Sequence, residues 1–141
     1  MIYLDTNVII SYVDELDSKH PDALELLSLL EGEKVASKLT LLELVSVFSR
    51  AGLDDPVALA LYSIEEVGVR IEDIDFNIVV SKAVRLAQDL KLKTLDLLHL
   101  AACAEMRSEI FATFDEAILK RAEDIRRLLG VRVIGWPWRT R

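Results

Sequence analysis

Apolar residues along this chain fall into two kinds of run. Five are short and continuous: Met1–Leu4, Lys34–Ser37, Val69–Ile71, Ile110–Thr113 and Val131–Ile134. Runs of this length with little internal alternation predict strands buried on both faces. Between them, apolar residues recur at helical spacing. Leu24, Leu27 and Leu30 form one such stripe, and Leu41, Leu44, Val45 and Phe48 form another. Ile78, Val79, Ala83, Leu86, Ala87 and Leu90 form the longest, within a helix predicted over Asp75–Leu90.

Local punctuation supplies the boundaries. Pro21 and Pro56 suit the first turn of a helix, where a missing N–H costs nothing. Gly32, Gly68 and Gly130 stand where helices should end. Thr40 followed by Glu43 has the spacing of a capping box, which places a helix start at Thr40. Further helices are expected over Val8–Val13, Val57–Val67 and Asp96–Met106, and one more from Asp115 through Leu129. Strands alternate with helices almost throughout, which predicts an α/β fold with a parallel sheet covered on both faces. With 141 residues and 52% hydrophobic composition, a single domain over 1–141 is expected.

Composition narrows the class. One cysteine, Cys103, excludes an intrachain disulfide and a cysteine-rich zinc site, and it fits a reducing compartment. No basic segment precedes the first apolar residues, and no apolar run reaches membrane-spanning length. A cytoplasmic protein is therefore expected. The net charge is −7, from 17 basic and 24 acidic residues, which argues against a simple coat on nucleic acid. An enzyme escapes that argument if cations and a local basic rim receive the phosphates.

Four acids stand at element boundaries. Asp5 follows the first strand, and Asp115 follows the Ile110–Thr113 strand. Ligands bind at such strand ends in open parallel sheets. Glu43 and Asp96 lie near helix starts, in the apolar contexts TLLELV and TLDLLHLA. Each acid taken alone has an ordinary explanation as a helix cap or a partner of the helix dipole. Several converging on one edge would repel one another unless a cation joined them. An all-oxygen donor set suits Mg2+ or Mn2+. Such a centre can activate water and stabilise the leaving oxygen in phosphodiester cleavage.

Around these acids the chain resembles the PIN-domain family, and within it the toxin ribonucleases of the VapC type. Tyr3-Leu-Asp5-Thr-Asn7 is similar to the family's first motif, and Thr40-Leu-Leu-Glu43-Leu to its second. Lys93-Thr-Leu-Asp96-Leu-Leu-His99-Leu-Ala-Ala is similar to the third, and Phe111-Ala-Thr113-Phe-Asp115 to the fourth. The resemblance spans essentially the whole chain. It implies a three-layer α/β/α sandwich with a mostly parallel sheet of about five strands. It also implies a Mg2+- or Mn2+-dependent endoribonuclease with Asp5, Glu43, Asp96 and Asp115 as the acidic, metal-holding cluster. Asn7 and Thr113 would be polar supports that orient a carboxylate or water. The implied partners are an RNA substrate, a small antitoxin protein and a second copy of the chain in a homodimer, with no membrane.

Other residues carry weaker signals. His99 shares a helical face with Asp96 and can touch substrate or assist orientation, with a structural role the favoured expectation, since the family's chemistry needs no histidine base. His20 is read as surface. Lys38, Arg50, Lys91 and Lys93 are candidates for a phosphate-facing rim, as are Arg139 and Arg141 in the tail. Trp136 and Trp138 can pin the tail or stack on bases, and packing is the favoured expectation. The leucine-rich segments 24–30 and 57–64 serve either dimerisation or the core. Two other functions compete: an antitoxin-independent nuclease in RNA processing, and a non-catalytic RNA- or protein-binding module. A receiver-like or phosphatase-like domain would explain Asp5 but not the motifs around Glu43 and Asp96.

Overall fold

The structure, a computed structural model, describes residues 1–135. The expectations for Trp136, Trp138, Arg139 and Arg141 lie outside the described residues. The five predicted strands form: β1 (Ile2–Leu4), β2 (Lys34–Ala36), β3 (Arg70–Ile71), β4 (Ile110–Ala112) and β5 (Arg132–Ile134). They pair in one parallel sheet of order β3-β2-β1-β4-β5. The helices are α1 (Thr6–Val13), α2 (His20–Leu29), α3 (Lys38–Arg50), α4 (Pro56–Val67), α5 (Phe76–Asp89), α6 (Thr94–Glu105), α7 (Glu116–Leu119) and α8 (Ala122–Leu129).

Strand residues alternate between two cores, one on each face of the sheet. Tyr3, Val35, Phe111 and Val133 point into a core shared with α5, α6, α7 and α8. Ile2, Leu4, Ala36, Ala112 and Ile134 point into the other, with Leu26, Leu44 and Ile64 from α2, α3 and α4. This is the three-layer α/β/α arrangement, and it explains why the strands read as continuous apolar runs. Among the described residues, no helix is long and apolar enough to cross a membrane.

Two boundaries differ from expectation. Helix α3 starts at Lys38 with Ser37 at the capping position, so Thr40 lies inside its first turn and caps nothing. Thr40 is fully buried beside the sheet, and its hydroxyl has no hydrogen-bond partner. Glu43 is therefore in the second turn, beyond a capping box. The helix expected from Asp115 to Leu129 is broken into α7 and α8 at Lys120–Arg121, where Arg121 takes φ −101° and ψ 11°. The break lets both pieces bury their apolar residues, Ile118 and Leu119 in one and Ala122 and Ile125 in the other. Gly68 and Gly130 end α4 and α8 in the left-handed region, at φ 77° and 69°.

The topology determines where a site can form. From β1 the chain proceeds to β2 on one side, and β4 later docks on the other. The carboxyl ends of β1 and β4 are thus adjacent at the point where strand order reverses, the place where open parallel sheets form ligand crevices.

Candidate active site

Asp5 leaves β1 at this crevice and caps α1. Its Oδ1 accepts from the Thr6 N–H at 2.9 Å, and its Oδ2 accepts from the Thr113 hydroxyl at 2.7 Å. The residue is buried, and burial pushes its carboxyl above the ordinary range, against the opposing influence of His99 and the Thr113 hydrogen bond. Thr113 is a junction. Its oxygen also accepts from the Asp115 N–H at 3.0 Å and from Asn7 Nδ2 at 3.4 Å. Asn7 returns an acceptor, Oδ1, to the Phe114 N–H at 3.2 Å. Asn7 therefore ties the start of α1 to the segment after β4.

Asp115 follows that segment and caps α7, its Oδ1 accepting from the Ala117 N–H at 2.8 Å. Asp96 sits in the first turn of α6. Desolvation, followed by the charges of Asp115 and Asp5, pushes its carboxyl from an ordinary 3.8 up to about 6; Glu43 adds to this and His99 opposes it. The same carboxylates thus act on Asp96 from β1, α3 and the β4–α7 segment, and the four acids form one electrostatic cluster.

Glu43 joins it through His99. His99 Nε2 lies 2.9 Å from Glu43 Oε1, and ligand atoms of Asp5, Glu43 and His99 lie within 4.8 Å of one another. Burial pushes the Glu43 carboxyl up. The His99 hydrogen bond, the adjacent Thr6 hydroxyl and the influence of His99 and Arg50 outweigh it and hold the group below its ordinary value. Among the described residues, no Lys or Arg forms an ion pair with Asp5, Glu43, Asp96 or Asp115. The Thr6 hydroxyl is buried with no hydrogen-bond partner of its own. A partly buried group of acids with no Lys or Arg ion-paired to it among the described residues fits a hard divalent cation, which neutralises charge and takes oxygen donors.

Of the candidate basic rim, Lys38 pairs with Asp73 at 3.6 Å in an exposed bridge, and Arg50 donates to the Ser46 carbonyl at 3.4 Å. Lys93 occupies the capping position of α6, and Lys91 is exposed. A shallow cavity of about 320 Å³ adjoins Asn7 and includes Ser11, Asp17, Lys19 and Phe114. The Lys19 ammonium stands 5.5 Å from the Phe114 ring centroid. His20 is not merely at the surface: its Nδ1 lies 2.9 Å from the Ser11 carbonyl and links α1 to α2.

A family model for the PIN domain matches residues 2–124. The chain belongs to the PIN-domain family. No match is found among curated proteins. Solved structures agree on the PIN fold. VapC20 of Mycobacterium tuberculosis, described as a sarcin-ricin loop cleaving toxin, aligns with TM-score 0.68 and 17% identity over 82% of this chain and 91% of that one. VapBC2 of Rickettsia felis, solved with a fragment of its promoter DNA, aligns with TM-score 0.64 and 17% identity over 96% and 99%. VapBC-1 of nontypeable Haemophilus influenzae aligns with TM-score 0.63 and 20% identity over 96% and 98%.

Within this PIN fold, sequence reasoning overlooked the polar chain behind Glu43. Tyr3, a strand residue that opens the first motif, does more than fill the strand: its hydroxyl lies 2.7 Å from His99 Nδ1 and 2.9 Å from Ser37 Oγ. A tyrosine inside an otherwise aliphatic strand was the available signal, since a buried phenol needs a partner.

Proposed function

We propose that the protein is a metal-dependent endoribonuclease and the toxin of a toxin–antitoxin pair. The observation that carries this reading is the electrostatic cluster of Asp5, Glu43, Asp96 and Asp115, from four separate segments, with no Lys or Arg ion-paired to any of them among the described residues. In this reading the four carboxylates hold Mg2+ or Mn2+. A bound divalent cation supplies Lewis-acid polarisation of a phosphoryl oxygen and a lowered pKa for an attacking water.

The chain's own residues prepare the centre. Thr113 holds Asp5 in one rotamer and anchors the Asp115 backbone, while Asn7 holds the segment between them. Asp96, raised to about 6, and the buried Asp5, raised in the same direction, are the acids whose charge a cation's arrival would favour. Burial of Asp5 restricts water at the inner edge of the site.

RNA as substrate and an antitoxin as partner are supported by the fold shared with VapC20 and the VapBC complexes. A homodimer belongs to the same reading. Val57, Leu61 and Tyr62 of α4 are more than half exposed and offer apolar area for it.

The deciding experiment incubates purified protein with a structured RNA in Mg2+ or Mn2+, with EDTA as control. Cleavage by the parent and none by Asp5→Asn is expected. Equal cleavage by both, or none by the parent with either ion, would overturn the reading. Purification from the native host should yield a stable complex with a small protein that suppresses cleavage.

A further inference from the structure

We infer that His99 is a positioning residue for the acid cluster: its Nε2–H fixes the Glu43 carboxylate beside Asp5, and Tyr3 with Ser37 fixes the ring. This rests on the metal-site reading above, and it assigns a role to a residue outside the four acids.

Glu43 needs such a device. It stands on the second turn of α3 with its side chain 25% exposed, so its rotamers are not determined by packing alone. Holding such a side chain in one rotamer costs conformational entropy. Its hydrogen bond at 2.9 Å comes from His99, with the Thr6 hydroxyl nearby. A carboxylate oxygen accepts, so across the 2.9 Å contact His99 Nε2–H is the donor and Glu43 Oε1 the acceptor.

The ring is determined more strongly than a packing role requires. His99, Tyr3 and Ser37 are all essentially inaccessible. The Tyr3 hydroxyl engages His99 Nδ1 at 2.7 Å and Ser37 Oγ at 2.9 Å. The Tyr3 ring stacks on Phe111 at 5.4 Å and 11°, and meets the His99 ring edge-on at 5.7 Å and 66°. An unbroken chain, Ser37–Tyr3–His99–Glu43, therefore runs from the core to the crevice. A residue that merely fills the core would need no polar atoms here, and polar atoms this deep are costly unless paired. Both ring nitrogens are occupied, so His99 acts on the cluster through Glu43 and does not itself serve as a ligand. Ligating carboxylates are oriented in this way by hydrogen bonds from behind.

The test measures Mn2+ affinity of the full chain by electron paramagnetic resonance, with circular dichroism to verify folding and RNA cleavage as a second readout. His99→Ala should weaken Mn2+ binding by about 10–100-fold. His99→Gln, whose amide N–H can replace Nε2–H, should recover most of that loss. Tyr3→Phe keeps the stacked ring but frees the histidine and should fall between them. In cleavage, kcat should drop with KM for RNA little changed. Parent-like Mn2+ affinity in folded His99→Ala overturns the inference alone, as does His99→Gln failing as completely as His99→Ala. If His99→Ala does not fold, parent-like affinity in Tyr3→Phe overturns it, and weakened Tyr3→Phe beside a near-parent His99→Gln supports it. No Mn2+ binding by the parent overturns the metal-site reading and this inference with it.

Discussion

The Thr113 hydroxyl donates to Asp5 Oδ2 at 2.7 Å, joining two residues 108 positions apart in sequence. The same oxygen accepts the Asp115 N–H, so one hydroxyl holds two of the four acids. Thr113→Val keeps the shape and removes both of these bonds and the longer one from Asn7 Nδ2. It should destabilise the fold by about 1–3 kcal/mol, because a buried acceptor and a partly buried donor lose their partners. It should also push the Asp5 carboxyl still higher, since this hydrogen bond lowers it. Urea denaturation of Thr113→Val and Thr113→Ser checks the first point. Serine keeps the hydroxyl and should stay closer to the parent than valine, and a parent-like Thr113→Val beside a destabilised Thr113→Ser would assign the effect to the methyl group instead.

Asp96 links stability to pH. Its pKa in the folded protein, about 6, lies above the ordinary 3.8, so protonation favours the native state. That contribution is fully present below about pH 4 and is lost as pH rises through about 6. Asp5, shifted in the same direction, adds to the trend. In EDTA, Asp96→Asn should be more stable than the parent at pH 7.5 by about 1–2 kcal/mol, after allowance for solvent screening, and equal to it near pH 3.5. Thermal melts at the two pH values test this. With Mn2+ at pH 7.5 the order should reverse, because only the parent retains the full set of charges.

Asp115 has two roles that one pair of substitutions separates. As a cap it accepts the Ala117 N–H at 2.8 Å, and asparagine can do the same. Asp115→Asn should therefore leave stability within about 0.5 kcal/mol, while Asp115→Ala loses about 1 kcal/mol. Mn2+ affinity should fall in both. Parent-like affinity in Asp115→Asn would make the residue a cap and nothing more.

Gly135 supports the site from below. A Cβ there would lie 2.8 Å from the Leu119 methyls and 3.0 Å from the Thr113 carbonyl oxygen. Gly135→Ala should cost about 1–3 kcal/mol by overpacking and should weaken Mn2+ binding through a displaced Thr113. Adding Leu119→Ala relieves the side-chain clash but not the backbone one. Stability should then recover more than metal affinity, measured by denaturation and by Mn2+ titration.

Much of this molecule was legible in local pattern. Five apolar runs specified five strands, because burial on both faces leaves no polar alternation, and stripes at helical spacing specified most of the helices. The same locality misled at Thr40, where a capping-box spacing stood inside a helix that had already begun at Ser37–Lys38. It also missed the break between α7 and α8, because both pieces carry apolar faces in register with one continuous helix. The acids could be picked out singly at strand ends and helix starts, and the order of four motifs pointed to their family.

Whether those acids meet was beyond local pattern. Tertiary structure decided it through the strand order, which sets β1 against β4 and brings Asp5 to Thr113 and Asp115. It likewise decided that His99 meets Glu43 across 56 positions and Tyr3 across 96. Periodicity encodes which face of an element is buried, a property of neighbours in sequence. The partner a buried polar atom finds depends on which elements pack together, and that is decided by the whole core at once.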